Sequence, residues 1–302
     1  MWILIAICAA SFQTVRNTLA RSIVGQVSPA LNSWARFAFN LPFSAFLLLL
    51  VSLWHGSLKT PAGFYAWCFG TAAAQLVGNV ALVSAFRRSS FAESIVLHKL
   101  EVVFAALIGA LFFAEAPSPQ GWAGVLVCGA GVLLINLGRD KGLSGWRKAV
   151  HFDLGALQAI SSGILLVLTS FFLKEATAML VEANPQLGDG RFQASVNTLF
   201  HTVWMQVALV TAYLVAATPG QLSRIRQHGK RMVLIGMASF SGSLCWFWAY
   251  SLAFVAYVKA VGQVELLYSV LISVFFFNER NVLRQLPGMA LATAGILLVV
   301  WE

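Results

Sequence analysis

The sequence contains an internal repeat that constrains the fold more than any other feature. Residues 85–135 align with residues 249–299 without a gap, and the matches include charged and glycine positions. Matches between apolar residues are common among membrane helices, but coincident glutamates and glycines are not. The repeat therefore indicates that one structural unit occurs twice in the chain. The coincident pairs are Glu101 with Glu265, Glu115 with Glu279, Gly124 with Gly288, and Gly131 with Gly295.

Long apolar runs joined by short polar connections fill both copies of the repeat. Hydrophobic residues make up 59% of the 302 residues and charged residues only 10%, against about 25% charged residues in a typical soluble domain. A soluble protein this apolar would expose large adhesive patches, and a spanning helix needs about 20 residues. We therefore predict ten transmembrane helices, at residues 2–23, 31–54, 64–86, 91–114, 119–137, 152–174, 191–217, 231–253, 256–277 and 284–301.

The predicted fold class is an all-α integral membrane protein with ten transmembrane helices, arranged as two inverted five-helix repeats. Because five is an odd number, the second copy must cross the membrane in the opposite sense to the first. Inverted halves related by an axis in the membrane plane are typical of secondary transporters. The predicted domains are a first repeat at residues 1–138, a basic connector at 139–151 and a second repeat at 152–302.

The distribution of lysine and arginine predicts the orientation. When the connections are assigned alternately to two sides, 13 basic residues lie on one side and 4 on the other. The richer side should be cytoplasmic, which places both termini away from the cytoplasm in a cell (inner) membrane. The first apolar run has no basic start, so we expect a permanent helix rather than a signal peptide. The residues on the poorer side are Lys59, Lys174, Arg191 and Lys259.

Two segments resemble the EamA domain of the drug/metabolite transporter superfamily. They begin with EVVFAALIGALFFAE at residue 101 and ELLYSVLISVFFFNE at residue 265. The resemblance implies ten helices, inverted halves, a central cavity and alternating access over the whole chain. The sequence departs from the family pattern at Val102 and Leu266, where the family often has proline, and in the first helix, which lacks a frequent Trp-Gly pair. These departures suggest a distinct subgroup.

Glu101 and Glu265 are the leading candidates for a functional site, because ionisable residues inside a membrane span are costly. Both are predicted about ten residues into their helices, near the midplane. Removal from water favours the protonated form of a carboxyl group, which would suit proton coupling. The alternative is a structural carboxylate bonded to a neighbouring helix or a basic side chain. Glu115 and Glu279 close their helices and are interpreted as structural.

Polar and basic residues along several predicted helices extend the candidate set for substrate binding or coupling. Several pairs lie three or four residues apart and so share a helix face. An arginine can bind a carboxylate or phosphate through two donors. The alternatives are snorkelling or internal ion pairs for the arginines, helix–helix hydrogen bonds for the amides, and an interfacial aromatic belt for the tryptophan. The further candidates are Gln13, Arg16, Asn17, Arg36, Gln75, Asn79, His98, Lys99, His201, Trp246 and Gln263.

These features predict a secondary transporter, an exporter or exchanger, of a small anionic or zwitterionic metabolite such as an amino acid, because the interior candidates are mostly basic. A translocase of a lipid-linked headgroup is the alternative that the resemblance implies. A membrane-embedded enzyme is less expected, because no nucleophile, base and orienting group cluster.

The sequence contains no nucleotide-binding motif, no metal-ligand set and no CxxC pattern among its four cysteines. We therefore expect no metal and no cofactor other than a coupling proton. The expected partners are a small-molecule substrate and membrane lipids, and not nucleic acid. One chain should suffice for function, with a dimer as the alternative.

Overall fold

The computed structural model describes residues 1–21, 23, 26–85, 97–139, 154–187, 191–221, 223–268 and 286–301. Within these ranges the backbone is predominantly helical and contains no β-strand. Six helical segments there are long and apolar enough to cross a membrane, as expected for a multi-pass membrane protein. These candidate spans are Trp2–Ala20, Ala30–His55, Ala62–Ala85, Leu154–Ala183, Arg191–Ala217 and Arg224–Leu252.

The α-helices of the described ranges follow the apolar runs of the sequence. They are α1 (Trp2–Arg21), α2 (Pro29–Ala38), α3 (Leu41–His55), α4 (Ala62–Ala85), α5 (Glu101–Phe112), α6 (Pro119–Arg139), α7 (Leu154–Ala183), α8 (Arg191–Ala217), α9 (Arg224–Leu252), α10 (Val255–Gly262) and α11 (Leu286–Val300). Short 3-10 turns follow α7 and α8.

Several helices differ from the sequence prediction: α9 begins at Arg224 rather than at residue 231, turns at Leu100 and Gln263 interrupt the fourth and ninth predicted helices, and the second and sixth also change. The second predicted helix is divided into α2 and α3 by a turn at Phe39 and Asn40, because Pro42 lacks the N–H that a continuous helix needs. The sixth predicted helix ends at residue 174, whereas α7 continues to Ala183. Residues 175–183 are mostly good helix formers, so the helix propagates into a segment that the prediction assigned to a polar connection.

Parts of several predicted features lie outside the described residues. These parts are Glu279, residues 140–151 of the basic connector, the start of the fourth predicted helix and the end of the ninth. The arrangement of ten helices as two inverted repeats therefore stays a prediction.

One compact unit consists of residues 1–73 and 172–252. In this unit α1 packs along α9, and α8 packs against α2, α3 and α9. Its core includes the buried side chains of Phe64, Cys68, Leu180 and Ala194. Residues from both halves of the sequence thus share one hydrophobic core.

The second compact unit consists of residues 74–171 and 253–302. In this unit α5 packs against α10, and α6 packs along α11. Glycines allow the close approach of α6 and α11, since a Cβ at Gly124 would lie 3.0 Å from the carbonyl oxygen of Gly295. The small-residue faces predicted on these two helices therefore lie against each other, as in tightly packed membrane helices.

Candidate functional site

A buried ion pair joins α5 and α10. Glu101 is the first residue of α5, and its carboxylate Oε2 lies 2.9 Å from the Nζ of Lys259 in α10. The two residues are only 8% and 7% exposed, respectively. The Nζ of Lys99 lies 3.8 Å from the other carboxylate oxygen, Oε1. Two ammonium groups therefore share one buried carboxylate.

His98 adjoins this cluster and contacts α7. Its imidazole Nδ1 lies 3.3 Å from the Oγ of Ser162, a fully buried residue of α7. The helix backbone also comes close, because a Cβ at Gly163 would lie 2.8 Å from the carbonyl oxygen of His98. A glycine at this point lets α7 pack directly against the turn that carries His98 and Lys99.

Gln263 forms the turn that ends α10. Its backbone N–H donates to the carbonyl of Ala260, three residues earlier, at 3.1 Å. This closes a tighter turn than the usual α-helical hydrogen bond, which would go to Lys259, four residues earlier. The Lys259 carbonyl instead accepts a hydrogen bond of 3.2 Å from the Gln263 Nε2. The Gln263 side chain therefore takes over a backbone hydrogen bond at the end of the helix.

Both copies of the repeat have a turn close to the aligned glutamate. Leu100 forms a turn directly before Glu101, and Gln263 forms one two residues before Glu265. The interruptions occur although Val102 and Leu266 replace the proline that the family often has after each glutamate. In the alignment of the two copies these turns lie one position apart.

Glu115 fixes the opposite end of α10. It is buried, and its Oε2 accepts a hydrogen bond of 2.8 Å from the backbone N–H of Val255, the first residue of the helix. The first N–H groups of a helix have no partner within the helix, and a negative charge there is favoured by the helix dipole. Glu115 thus acts as a structural anchor that positions the helix carrying Lys259.

In the unit formed by residues 1–73 and 172–252, predicted residues of α1 contact α9. The Trp246 Nε1 donates to the Gln13 Oε1 at 3.0 Å, and the Trp246 ring stacks on Tyr250 at a centroid distance of 5.6 Å. Arg16 is 8% exposed and donates through both Nε and Nη2 to the Asn17 Oδ1, at 3.2 and 2.8 Å. These side chains form polar contacts within an otherwise apolar helix pair.

Comparison with protein families gives a match at the start of the chain. Residues 1–137 match the model of the EamA-like transporter family, which includes α5 and its Glu101. Residues 1–137 are therefore similar to an EamA-like transporter domain. This result confirms the resemblance found in the sequence for the first of the two segments, the one that begins at Glu101.

A solved structure agrees with the fold of the whole chain. The crystal structure of a protein 16% identical to this chain superposes with a TM-score of 0.71, covering 99% of this chain and 96% of that chain. At this identity the likeness concerns the fold alone. No protein in the search of curated proteins matches the chain.

Within the described ranges, the structure brings four predicted site residues into one region. Glu101 is the first residue of α5, His98 and Lys99 lie directly before the turn that precedes it, and Gln263 lies at the end of α10, which packs against α5. The side chains of these four residues can neutralise a charged group and can donate or accept hydrogen bonds. No group of three or more His, Cys, Asp or Glu side chains within the described ranges could hold a metal ion.

The other predicted residues have separate surroundings. His201 accepts a hydrogen bond of 3.1 Å from Trp204 Nε1, and its ring contacts Phe64 and Tyr65 edge-on. The guanidinium carbon of Arg36 lies 5.2 Å from the centroid of the Phe37 ring. Three further candidates are half-buried, namely Gln75, Asn79 and Glu265.

Lys259 and Ser162 belong to the cluster but are not among the site residues predicted from the sequence. Lys259 lies within the predicted helix 256–277, although it is counted with the connections in the charge distribution, and in the structure it is a buried residue of α10. Its four-residue spacing from Gln263 was the available signal, because residues at that spacing share a helix face. No feature of the sequence singles out Ser162 from the other serines of the apolar helices.

Proposed function

We propose that this protein is a secondary transporter, an exporter or exchanger, that moves a small anionic or zwitterionic metabolite by alternating access. The EamA-like domain and the six candidate spans support a multi-pass membrane transporter. The ten-helix inverted architecture that such a mechanism uses is part of the proposal.

The observation that carries the proposal is the shared carboxylate of Glu101. Lys259 lies 2.9 Å and Lys99 3.8 Å from its two oxygens, in a buried place. Charges are removed from water at high cost, and membrane proteins keep them inside spans chiefly at functional positions. Two ammonium groups beside one carboxylate provide cationic groups to which an anionic group of a substrate could bind.

The same geometry suggests how substrate binding changes the protein. The carboxylate of a substrate would take the place of Glu101 beside a lysine, and the ammonium group of a zwitterion would bind Glu101. Protonation of Glu101 would release the lysine in the same way, which supports proton coupling. The Glu101–Lys259 pair would then form in the empty protein and open in the loaded one, because the substrate would supply new partners for both side chains.

The proposal includes an orientation with both termini away from the cytoplasm. In the structure Lys174 lies within α7 and Lys259 within α10, so neither belongs to a connection. Arg191 on the same side, and Arg21, Arg139 and Arg224 on the richer side, also lie in helices, so the proposed orientation rests on the count of 13 basic residues against 4 in the sequence.

A thermal-shift screen of the detergent-solubilised protein tests the proposal. Wild type, Glu101→Gln and Lys259→Gln would be compared against amino acids, organic acids, phosphate esters, amines and lipid-linked sugars. Glu182→Gln and Lys59→Gln are matched controls, because both residues are exposed. We expect an anionic or zwitterionic compound to raise the unfolding midpoint of wild type and of both controls, but of neither cluster variant.

Uptake of that compound into proteoliposomes then tests transport directly. Wild type and controls should accumulate it, and the two cluster variants should not. Stabilisation by amines alone, or by lipid-linked sugars alone, would contradict the proposed substrate class. Equal responses in all five proteins would show that the cluster is structural.

A further inference from the structure

The first two turns of α9 carry a concentration of positive charge. Residues 224–231 have the sequence RIRQHGKR, and the side chains of Arg224, Arg226, Lys230 and Arg231 are exposed. The predicted span of this helix begins only at residue 231, because the preceding residues are mostly polar. These turns therefore flank the apolar part of the helix, where a membrane helix meets the lipid headgroups.

The neighbouring helices of this unit bring no negative charge to these turns. The helices α1, α2 and α8 pack against α9, and neither they nor α9 itself contain an aspartate or a glutamate. Arg226 and Lys230 are four residues apart, so they share a helix face and repel each other. An anionic group between these two side chains would replace the repulsion with attraction.

The face that carries Arg226 and Lys230 changes from charged to apolar along the helix. Leu234 follows Lys230 after four residues and Met237 follows after three more, which keeps all four on one face. Leu234 is 49% exposed and Met237 is 45% exposed. From residue 226 to residue 237 the face extends over about 16 Å. It presents two cations and then apolar side chains, which is the order of the phosphate and the acyl chains in a phospholipid.

Gly229 lies between the two cations in the sequence and keeps the face open. A Cβ at this position would meet no described atom within 4 Å, so the described part of the chain leaves this turn uncovered. A glycine lowers the stability of a helix, but it lets another group approach the backbone closely. The turn therefore has room for a headgroup between Arg226 and Lys230.

We propose that this face of α9 is a binding site for an anionic phospholipid. The phosphate binds between Arg226 and Lys230, and the acyl chains pack along Leu234 and Met237. An arginine binds phosphate through two donors and a lysine adds a compact charge, and basic clusters beside a membrane helix suit anionic lipids. The site belongs to the unit of residues 1–73 and 172–252, whereas Glu101 belongs to the other unit. The proposal therefore does not depend on the transported substrate.

The unfolding midpoint of the full-length protein in a neutral detergent tests the site when lipid is added. Phosphatidylglycerol is the anionic probe, phosphatidylcholine is the zwitterionic one, and glycerol phosphate carries an anionic headgroup without acyl chains. We expect phosphatidylglycerol to raise the midpoint until the site is saturated, and the other two probes to have little effect. An equal rise with phosphatidylcholine, or with glycerol phosphate, would contradict the proposal.

Substitutions on two faces of α9 distinguish a site from a diffuse effect of charge. Arg226→Gln/Lys230→Gln should need at least about tenfold more phosphatidylglycerol than wild type for the same rise. Arg224→Gln/Arg231→Gln removes the same charge from the same turns, and it should keep most of the response. Each variant is compared with its own midpoint without lipid, so that a change in its basal stability does not enter the result. The exposed Lys59→Gln is a second control.

A further pair of variants tests the acyl-chain part of the site. Leu234→Gln should weaken the response to phosphatidylglycerol, whereas Leu53→Gln, at a residue of α3 that is 71% exposed, should not. An unchanged response in Arg226→Gln/Lys230→Gln, an equal loss in both double variants, or no response of the wild type would overturn the proposal. Lys259→Gln should respond like wild type, so a failure of the transport proposal would leave this one in place.

Discussion

The Lys259 Nζ lies 2.9 Å from the Glu101 Oε2, although the two residues are 158 positions apart in the sequence. The pair links one helix from each half of the chain. Removing two ions from water costs several kcal/mol each, and their attraction in a medium of low polarity offsets this cost only while both are present. The loss of one partner should therefore lower the stability of the protein more than the loss of both.

This asymmetry predicts a specific pattern of stability. Lys259→Met should lower the free energy of unfolding by about 3–5 kcal/mol, because it leaves a buried carboxylate without its nearest cation. The double variant Glu101→Gln/Lys259→Met should lose less than the single one. Unfolding midpoints in one detergent measure both effects, with the exposed Lys59→Met as control. Additive losses would show that the two side chains do not stabilise each other.

Glu115 should behave as a structural residue. Glu115→Gln keeps an acceptor for the Val255 N–H but removes the charge, so we expect a loss of about 1 kcal/mol. Glu115→Ala removes the acceptor and should cost more. Hydrogen exchange at the first turn of α10 measures both changes, with Glu182→Ala as an exposed control. Abolished transport in a Glu115→Gln protein of normal stability would point to a direct functional role.

The contact between α6 and α11 predicts an intolerance of side chains at Gly131. A Cβ there would lie 2.6 Å from the Ala292 Cα and closer still to its backbone nitrogen. Backbone atoms cannot move aside without separating the helices, so Gly131→Ala should reduce the yield of monodisperse protein and lower its unfolding midpoint. Gly129→Ala on the same helix should be tolerated better, because its Cβ meets only the Val103 Cγ2, at 3.1 Å. Equal behaviour of the two variants in size-exclusion chromatography would contradict this packing.

Asn184 should stabilise the contact between the end of α7 and the connection that contains Lys59. It is fully buried, its Oδ1 accepts from the Lys59 N–H at 2.8 Å, and its Nδ2 donates to the carbonyls of Lys59 and Leu180 at 2.9 and 2.8 Å. Asn184→Asp keeps the accepted bond but loses both donated bonds, for a cost of about 2–3 kcal/mol. The exposed Glu182→Ala serves as control, because Gln186 itself donates to the Asn184 Oδ1 at 3.2 Å. An unchanged unfolding midpoint in Asn184→Asp would contradict this role.

Much of the fold could be predicted because membrane helices are defined by local composition. The bounds predicted for the seventh helix, residues 191–217, coincide with those of α8. The division between α2 and α3 was not predicted, although Pro42 marks it, because the apolar run continues through the proline. Local hydrophobicity predicts that a segment spans the membrane but not whether its backbone is continuous.

The candidate site was predicted only in part, for a different reason. Ionisable residues within apolar runs were conspicuous, so Glu101, Lys99 and His98 were found. Lys259 lies close to the start of its predicted helix, 256–277, and was counted with the adjoining connection rather than as a site residue. Its burial depends on the distant carboxylate of Glu101, and a pairing between remote segments leaves no periodic signal in either one.

The length of α7 has a consequence for the surrounding bilayer. Its 30 residues extend over about 45 Å, whereas the hydrocarbon layer is about 30 Å thick. The helix must tilt strongly, project into the headgroup layer, or thicken the bilayer locally. Each of these adjustments changes in cost with acyl-chain length, so the protein should function best in membranes of a particular thickness.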